Sequence, residues 1–180
     1  MRVIAGEARG RKLISLDGLH TRPTTDRVKE SMFNMLSMRM LDARVLDAFS
    51  GSGALGIEAL SRGAASCVFL ENDTKAMSVT QENLKTIGFL DRANMHLCDA
   101  CQFIKSTKEQ FDIIFLDPPY DANLYLPILS AIAEGNVLAE DGVIVAERRA
   151  DTEPCAIDSL SIVKDKRYGK TAVTMYERTK

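Results

Sequence analysis

The sequence predicts an α/β protein built on a doubly wound, mostly parallel sheet of seven strands. Two observations carry this. Short apolar runs rich in Val, Ile and Phe alternate with stretches of helical periodicity. A glycine-rich turn follows the first of those runs and opens a helical pattern. The strands are expected over residues 45–49, 67–71, 94–98, 113–117, 143–147, 160–165 and 172–177. The helices are expected over 26–40, 54–62, 75–87, 100–105 and 124–134. The strands are continuously apolar, which suits a parallel sheet covered on both faces.

Each end of the chain adds detail. Thr24 or Thr25 can cap the first helix, and Asp26 sits in its first turn, where the helix dipole favours an acid. Val28, Met32, Met35 and Leu36 recur at helical spacing, so the Met-rich stripe (Met32, Met35, Met38, Met40) is expected in the core. Lys166-Arg167-Tyr168-Gly169-Lys170 reads as a short turn between the last two strands. The pair should form a hairpin that closes the sheet with an antiparallel edge.

The 180 residues suffice for one domain with a core, and 46% hydrophobic content excludes a disordered chain. A single domain over 1–180 is expected. The net charge of -2 does not by itself point to nucleic acid. Its distribution does. Residues 1–30 hold seven Lys or Arg against four acids, leaving +3 there and -5 over the rest. Residues 1–25 are therefore expected to form a basic extension able to guide phosphates. No apolar stretch approaches the roughly 18 residues of a membrane span, and the first residues lack a signal-peptide block, so a cytoplasmic protein without membrane contact is expected. Cys67, Cys98, Cys101 and Cys155 fit a reducing compartment. Cys98 and Cys101 lack a second pair or suitably spaced histidines, so no metal site is expected.

Two loops carry chemistry. Gly51-x-Gly53-x-x-Gly56 follows a strand and opens a helix, with Glu71 at the end of the next strand, twenty positions after Gly51. Glycines permit a tight turn and close ligand approach, and the acid can accept hydrogen bonds from ribose hydroxyls. Those features fit NAD and S-adenosylmethionine equally. Asp47 favours the second, since an acid there meets a methionine amino group and repels a pyrophosphate. Asp99, after the third strand, can accept from an adenine amino group.

Asp117-Pro118-Pro119-Tyr120 follows the fourth strand. An exocyclic amino nitrogen is a poor nucleophile because its lone pair is delocalised into the ring. Acceptors on its hydrogens localise that pair and aim it. The Asp117 carboxylate and Pro118 carbonyl are such acceptors, and the two prolines present them without competing N–H groups. Tyr120 offers a face for the base to stack on. The two loops together imply a methyltransferase acting on an exocyclic amino group of a nucleic-acid base.

The chain resembles the RsmD-type bacterial small-subunit rRNA guanine-N2 methyltransferases over nearly its whole length. The ordered set of motifs is Arg2-Val3-Ile4-Ala5-Gly6 with Arg9-Gly10-Arg11-Lys12-Leu13, Arg22-Pro23-Thr24-Thr25-Asp26-Arg27-Val28-Lys29-Glu30, the stretch 46–64, Leu116-Asp117-Pro118-Pro119-Tyr120, and Tyr168-Gly169-Lys170-Thr171. The resemblance implies a class I S-adenosylmethionine-dependent methyltransferase fold, Rossmann-like, with the last strand antiparallel. It implies S-adenosylmethionine as donor and a specific guanine of 16S rRNA, of the guanine-966 type, as acceptor in an assembled or assembling 30S subunit. A monomer is expected. Asp47, Gly51, Gly53, Glu71 and Asp99 would hold the cofactor, with Phe49, Ser52, Asn72 and Ala100 on the same loops and Thr24 lying over it. Asp117, Pro118, Pro119 and Tyr120 would hold the base, and the N-terminal basic strand would touch RNA.

The tetrapeptide does not itself select guanine. DNA adenine N6, transfer RNA or a protein glutamine remain alternative acceptors. A non-catalytic Rossmann-like module binding NAD or RNA is a further alternative.

Overall fold

The structure is a computed structural model and describes residues 1–16, 26–119 and 123–180. Seven strands form one sheet: β1 (Arg44–Asp47), β2 (Ser66–Glu71), β3 (Ala93–Leu97), β4 (Phe111–Leu116), β5 (Leu138–Arg149), β6 (Leu160–Tyr168) and β7 (Thr171–Arg178). Five helices accompany them: α1 (Asp26–Met35), α2 (Ala54–Ser61), α3 (Thr74–Ile87), α4 (Ala100–Ser106) and α5 (Tyr125–Glu134). The strand order is β3-β2-β1-β4-β5-β7-β6. Strands β1 to β5 pair in parallel, and β7 is antiparallel to both its neighbours. This is the class I Rossmann-like methyltransferase arrangement.

The strands are apolar throughout because both faces are covered. Val45, Phe69, Ile113, Phe115 and Val145 point into one cluster with Met32 and Phe33 of α1, Leu60 of α2 and Leu84 of α3. Leu46, Leu70, Ile114 and Ile144 point into the other, with Ile104 of α4 and Ile128 and Ile132 of α5. Local chemistry starts and stops the helices. Asp73 caps α3 by accepting from Ala76 N at 2.8 Å, and Gly88 ends it in the left-handed region at φ 90. The buried positions Ala76, Thr80, Asn83, Leu84 and Ile87 form one face.

Residues 1–13 lie against the first cluster. An antiparallel bridge joins Arg2 to Lys12. Val3, Ala8 and Leu13 are buried there.

Two expectations are corrected. The first helix ends at Met35, not residue 40, and a 3-10 turn spans Ser37–Arg39. Leu36 N and Arg39 N bond three residues back, to Phe33 O and Leu36 O, which tightens the chain out of the α-helix. Met38 consequently leaves the expected core stripe and is 96% exposed, while Met32 and Met40 are buried. The sheet closes with the expected hairpin at an antiparallel edge: β6 is outermost and pairs antiparallel with β7, which is interior. Burial explains the order: the first six residues of β7 are buried, whereas the charged β6 is exposed along most of its length. Thr24 and Thr25, the proposed caps of α1, lie outside the described residues.

The hairpin turn is shorter than the five-residue link. Tyr168 pairs with Thr171, leaving Gly169 and Lys170 as a two-residue turn. Gly169 has φ 62, as the first central residue of such a turn requires.

All four cysteines are free, with Cys67 buried and the others half-buried. No helix among the described residues is long and apolar enough to cross a membrane.

Gly56 packs α2 against β2 with no room to spare. A Cβ there would meet Phe69 Cε1 at 2.2 Å and Cys67 Sγ at 2.7 Å. Gly56→Ala is expected to lower stability by about 1–3 kcal/mol through overpacking. Urea denaturation checks this, and an unchanged midpoint would remove the close packing as the reason for glycine.

Candidate active site at the strand switch point

The strand order reverses between β1 and β4, which lie side by side and lead to connections in opposite directions. Such a switch point opens a crevice at the carboxyl ends of the strands. Asp47 pairs with Phe115 across that boundary, so the loop after β1 and the loop after β4 flank one crevice. Both motif loops therefore lie side by side.

The loop after β1 is tied down on three sides. Ala48 N bonds to Phe115 O at 3.1 Å and Ser50 N to Leu70 O at 2.9 Å. Gly51 (φ 54) and Gly53 (φ 79) turn through the left-handed region, which side-chain-bearing residues rarely adopt. From below, α3 contributes two buried polar side chains. Thr80 Oγ1 donates to Gly51 O at 2.8 Å. Asn83 Nδ2 donates to Ser52 O at 2.8 Å and to Ile14 O at 3.1 Å, while its Oδ1 accepts from Ile14 N at 2.8 Å. One amide thus joins the glycine loop to the N-terminal arm. Sequence reading missed Thr80 and Asn83; the available signal was two polar residues on an otherwise apolar helix face.

The acids divide by their partners. Asp47 is buried and accepts from Gly56 N at 2.9 Å. Burial pushes its carboxyl up to about 7, opposed by the N–H groups of Gly56 and Phe49 and reinforced by the charge of Glu71. Glu71 Oε2 accepts from Gly51 N at 2.9 Å, and its Oε1 accepts from Asn72 N and Asp73 N at 2.9 and 3.0 Å. A carboxylate has about four accepting positions, so one remains for a ligand hydroxyl. Asp99 caps α4, with Oδ1 accepting from Gln102 N at 2.8 Å. It is exposed, two residues after the end of β3.

The remaining candidates surround these loops. Phe49 is half-buried against the second core cluster. Ser52 is buried with its hydroxyl 3.8 Å from Met1 Sδ. Asn72 is exposed, and Ala100 is buried at the start of α4. The Ser50 hydroxyl, absent from the sequence-level candidates, is buried with no hydrogen-bond partner. An orphaned polar atom in the loop is a position a ligand could satisfy. Asp117 is half-buried, Pro118 buried and Pro119 exposed at the end of β4. Tyr120 and Thr24 lie outside the described residues.

A second carboxylate fixes the arm. Glu58 of α2 is fully buried and accepts from Ile4 N at 2.8 Å and Ala5 N at 3.0 Å. It pairs with Lys29 Nζ at 3.1 Å and Arg62 Nε at 2.7 Å. Lys29 is 1% exposed, and its ammonium also reaches Arg2 O at 2.6 Å. A charge buried this deeply persists because both partners and two amides satisfy it.

Comparison with known proteins fits this geometry. Residues 1–177 match the family model described as conserved hypothetical protein 95. The chain belongs to that family. It is 42% identical over 182 aligned positions to YlbH of Bacillus subtilis, provisionally named an rRNA methyltransferase, covering 99% of both chains. It is 37% identical to the ribosomal RNA small subunit methyltransferase D of Haemophilus influenzae, covering 98% of this chain and 93% of that one. A solved Escherichia coli structure, yhhF, provisionally classed as a methyltransferase, superposes with a TM-score of 0.89 at 36% identity, covering 99% and 97%. This is the RsmD-type family that the sequence motifs resemble, and the names of these relatives and of this structural neighbour mark the chain as a methyltransferase.

Asp47 generates a pH prediction. Its folded value is raised above the ordinary 3.8, so its favourable contribution is complete below about 3.8 and is lost as pH rises through about 7. Asp47→Asn retains an acceptor for Gly56 N without the charge. The variant should gain stability relative to the native protein between pH 5 and pH 8, read as a growing difference in urea midpoint. A constant difference across that range would refute the raised value.

Proposed function

We propose that this protein transfers a methyl group from S-adenosylmethionine to the exocyclic N2 amino group of a guanine in small-subunit rRNA. The observation that carries the proposal is the adjacency of the Asp47–Gly53 loop and the Asp117-Pro118-Pro119 loop across the β1–β4 boundary. One loop has the features of a methionine and ribose site, and the other those of an amino-group acceptor site.

The residues present fit the donor. Asp47 supplies an acid for its amino group, and Glu71 keeps one accepting position for a ribose hydroxyl. Gly51 and Gly53 leave the loop without side chains where the backbone must approach closely, and Ser50 holds an unsatisfied hydroxyl. Phe49, Ser52, Asn72, Asp99 and Ala100 complete the surrounding loops, with Thr24 assigned from sequence. When bound, the donor supplies an electrophilic methyl group on a sulfonium.

The chain's own part is positional. Asp117 and the Pro118 carbonyl accept the two amino hydrogens and turn the nitrogen lone pair towards the methyl carbon. Pro119 has no N–H to compete for that carbonyl. Tyr120, assigned from sequence, stacks on the base. As the N–C bond forms, the C–S bond breaks and its electrons stay on sulfur. The surplus amino proton then passes to Asp117 or water. Relatives named for rRNA support RNA as the acceptor. The proposal extends to an assembled or assembling 30S subunit as the form in which the RNA is presented, and to a cytoplasmic monomer as the acting form.

Labelled methyl transfer to unmodified small subunits, naked 16S rRNA and DNA, followed by nucleoside identification, tests the proposal. Label is expected in N2-methylguanosine from the subunits. Asp117→Ala should lower the rate about 100-fold, the order expected when a reacting group loses its alignment. Label in another nucleoside would overturn the acceptor assignment. Full activity of the variant would overturn the role of Asp117.

A further inference from the structure

The edge strand β6 and its turn contain Lys164, Lys166, Arg167 and Lys170 within seven residues, against one acid, Asp165. Asp165 is already engaged. The buried Arg148 donates to both its oxygens at 2.8 and 2.9 Å, and Thr174 Oγ1 donates at 2.7 Å. These bonds hold Asp165 below the usual carboxylate range against the opposing effect of desolvation. Among the described residues Arg167 forms one ion pair, with the exposed Glu153 at 3.4 Å, a pairing of little strength in water, and its charge also helps lower Asp165. Lys164, Lys166 and Lys170 are exposed, and their side chains make no hydrogen bond or ion pair among the described residues. The lysines are thus free cations on a chain whose net charge is -2.

Topology decides where those cations lie. β7 is antiparallel to both β5 and β6, so β6 runs in the same direction as β5. The Gly169-Lys170 turn is therefore at the carboxyl end of the parallel strands, the end that carries Asp117. Arg149, the last residue of β5, pairs with Thr171 beside the turn. The tip is anchored: Tyr168 is packed against the first core cluster, and its hydroxyl bonds to Ser31 of α1. Three strand spacings separate β4 from β6, about 14 Å at ~4.8 Å each. That places the turn beside the catalytic loop and on its rim.

We propose that the β6–β7 hairpin tip, through Lys166 and Lys170, binds phosphates of the RNA that flank the target nucleotide. The proposal rests on RNA being the substrate. Phosphate contacts fix the register of a nucleic acid without reading its bases, which suits a site whose chemistry lies entirely at Asp117 and its neighbours. A rigid tip places those charges at a fixed distance from the reacting amino group.

The test is equilibrium binding of naked 16S rRNA to the full chain across a salt series, without methyl donor. Lys166→Glu with Lys170→Glu should weaken binding at least about tenfold and reduce the slope of log K against log salt by about 1.5, near 0.7–0.9 for each phosphate no longer neutralised. Lys166→Gln with Lys170→Gln should give the same slope change without introducing negative charge. Lys105→Glu with Lys108→Glu, exposed substitutions just before β4 at the opposite end of the sheet, should leave the slope unchanged. Unchanged affinity for S-adenosylhomocysteine checks that each variant is folded. Equal slopes for the native protein and the hairpin variants would overturn the hairpin role. A hairpin-dependent slope in a protein that methylates no RNA would keep the hairpin and discard the substrate assignment. Failure of the native protein to bind either naked 16S rRNA or unmodified 30S subunits would discard both.

Discussion

The reversal of strand order between β1 and β4 governs everything built around it. Parallel strands must be joined by crossovers that cover the sheet. Where successive crossovers leave in opposite directions, helices cannot close over the carboxyl ends of the two central strands. Here those strands end in Asp47 and at the edge of Asp117. The site exists because the sheet cannot be sealed at that point, and the two motif loops are neighbours for the same reason.

A crevice alone is too soft for methyl transfer, which depends on alignment. Stiffness comes from polar groups buried under the loops. Thr80 and Asn83 hold carbonyls of the glycine turn, and Glu71 holds its Gly51 amide. Asn83 and Glu58 also hold the N-terminal arm, at Ile14 and at Ile4 and Ala5. The arm, α2, α3 and the glycine turn therefore form one hydrogen-bonded body. Each of these groups would be costly if left unpaired in the interior, so the arrangement is held by the penalty for breaking it as much as by the bonds themselves.

Charge is distributed to match. The body is acidic overall, with Asp47 held beneath the glycine loop. The free cations proposed to meet phosphate stand on the rim, on β6, where the edge strand needs charge in any case to discourage pairing with another sheet. One set of lysines can thus serve solubility and recognition at once.

The order and kind of the elements are legible in the chain alone, because helical and strand periodicities differ and because these strands are apolar on both faces. Both motif loops are legible too, since Gly51, Gly53 and Gly56 and the paired prolines are residues that only particular backbone geometries require. Asp47 and Glu71 stand out by their distance to those glycines. The rest came from packing at long range. Thr80, Asn83 and Glu58 are ordinary helix polar residues until burial gives them partners far away in sequence. The end of α1 at Met35 and the exposure of Met38 follow from the tightened turn, which periodicity does not encode. The placement of β7 inside β6 depended on which hairpin arm could be buried on both faces. That choice also set the direction of β6, and with it the end of the sheet at which its lysines stand.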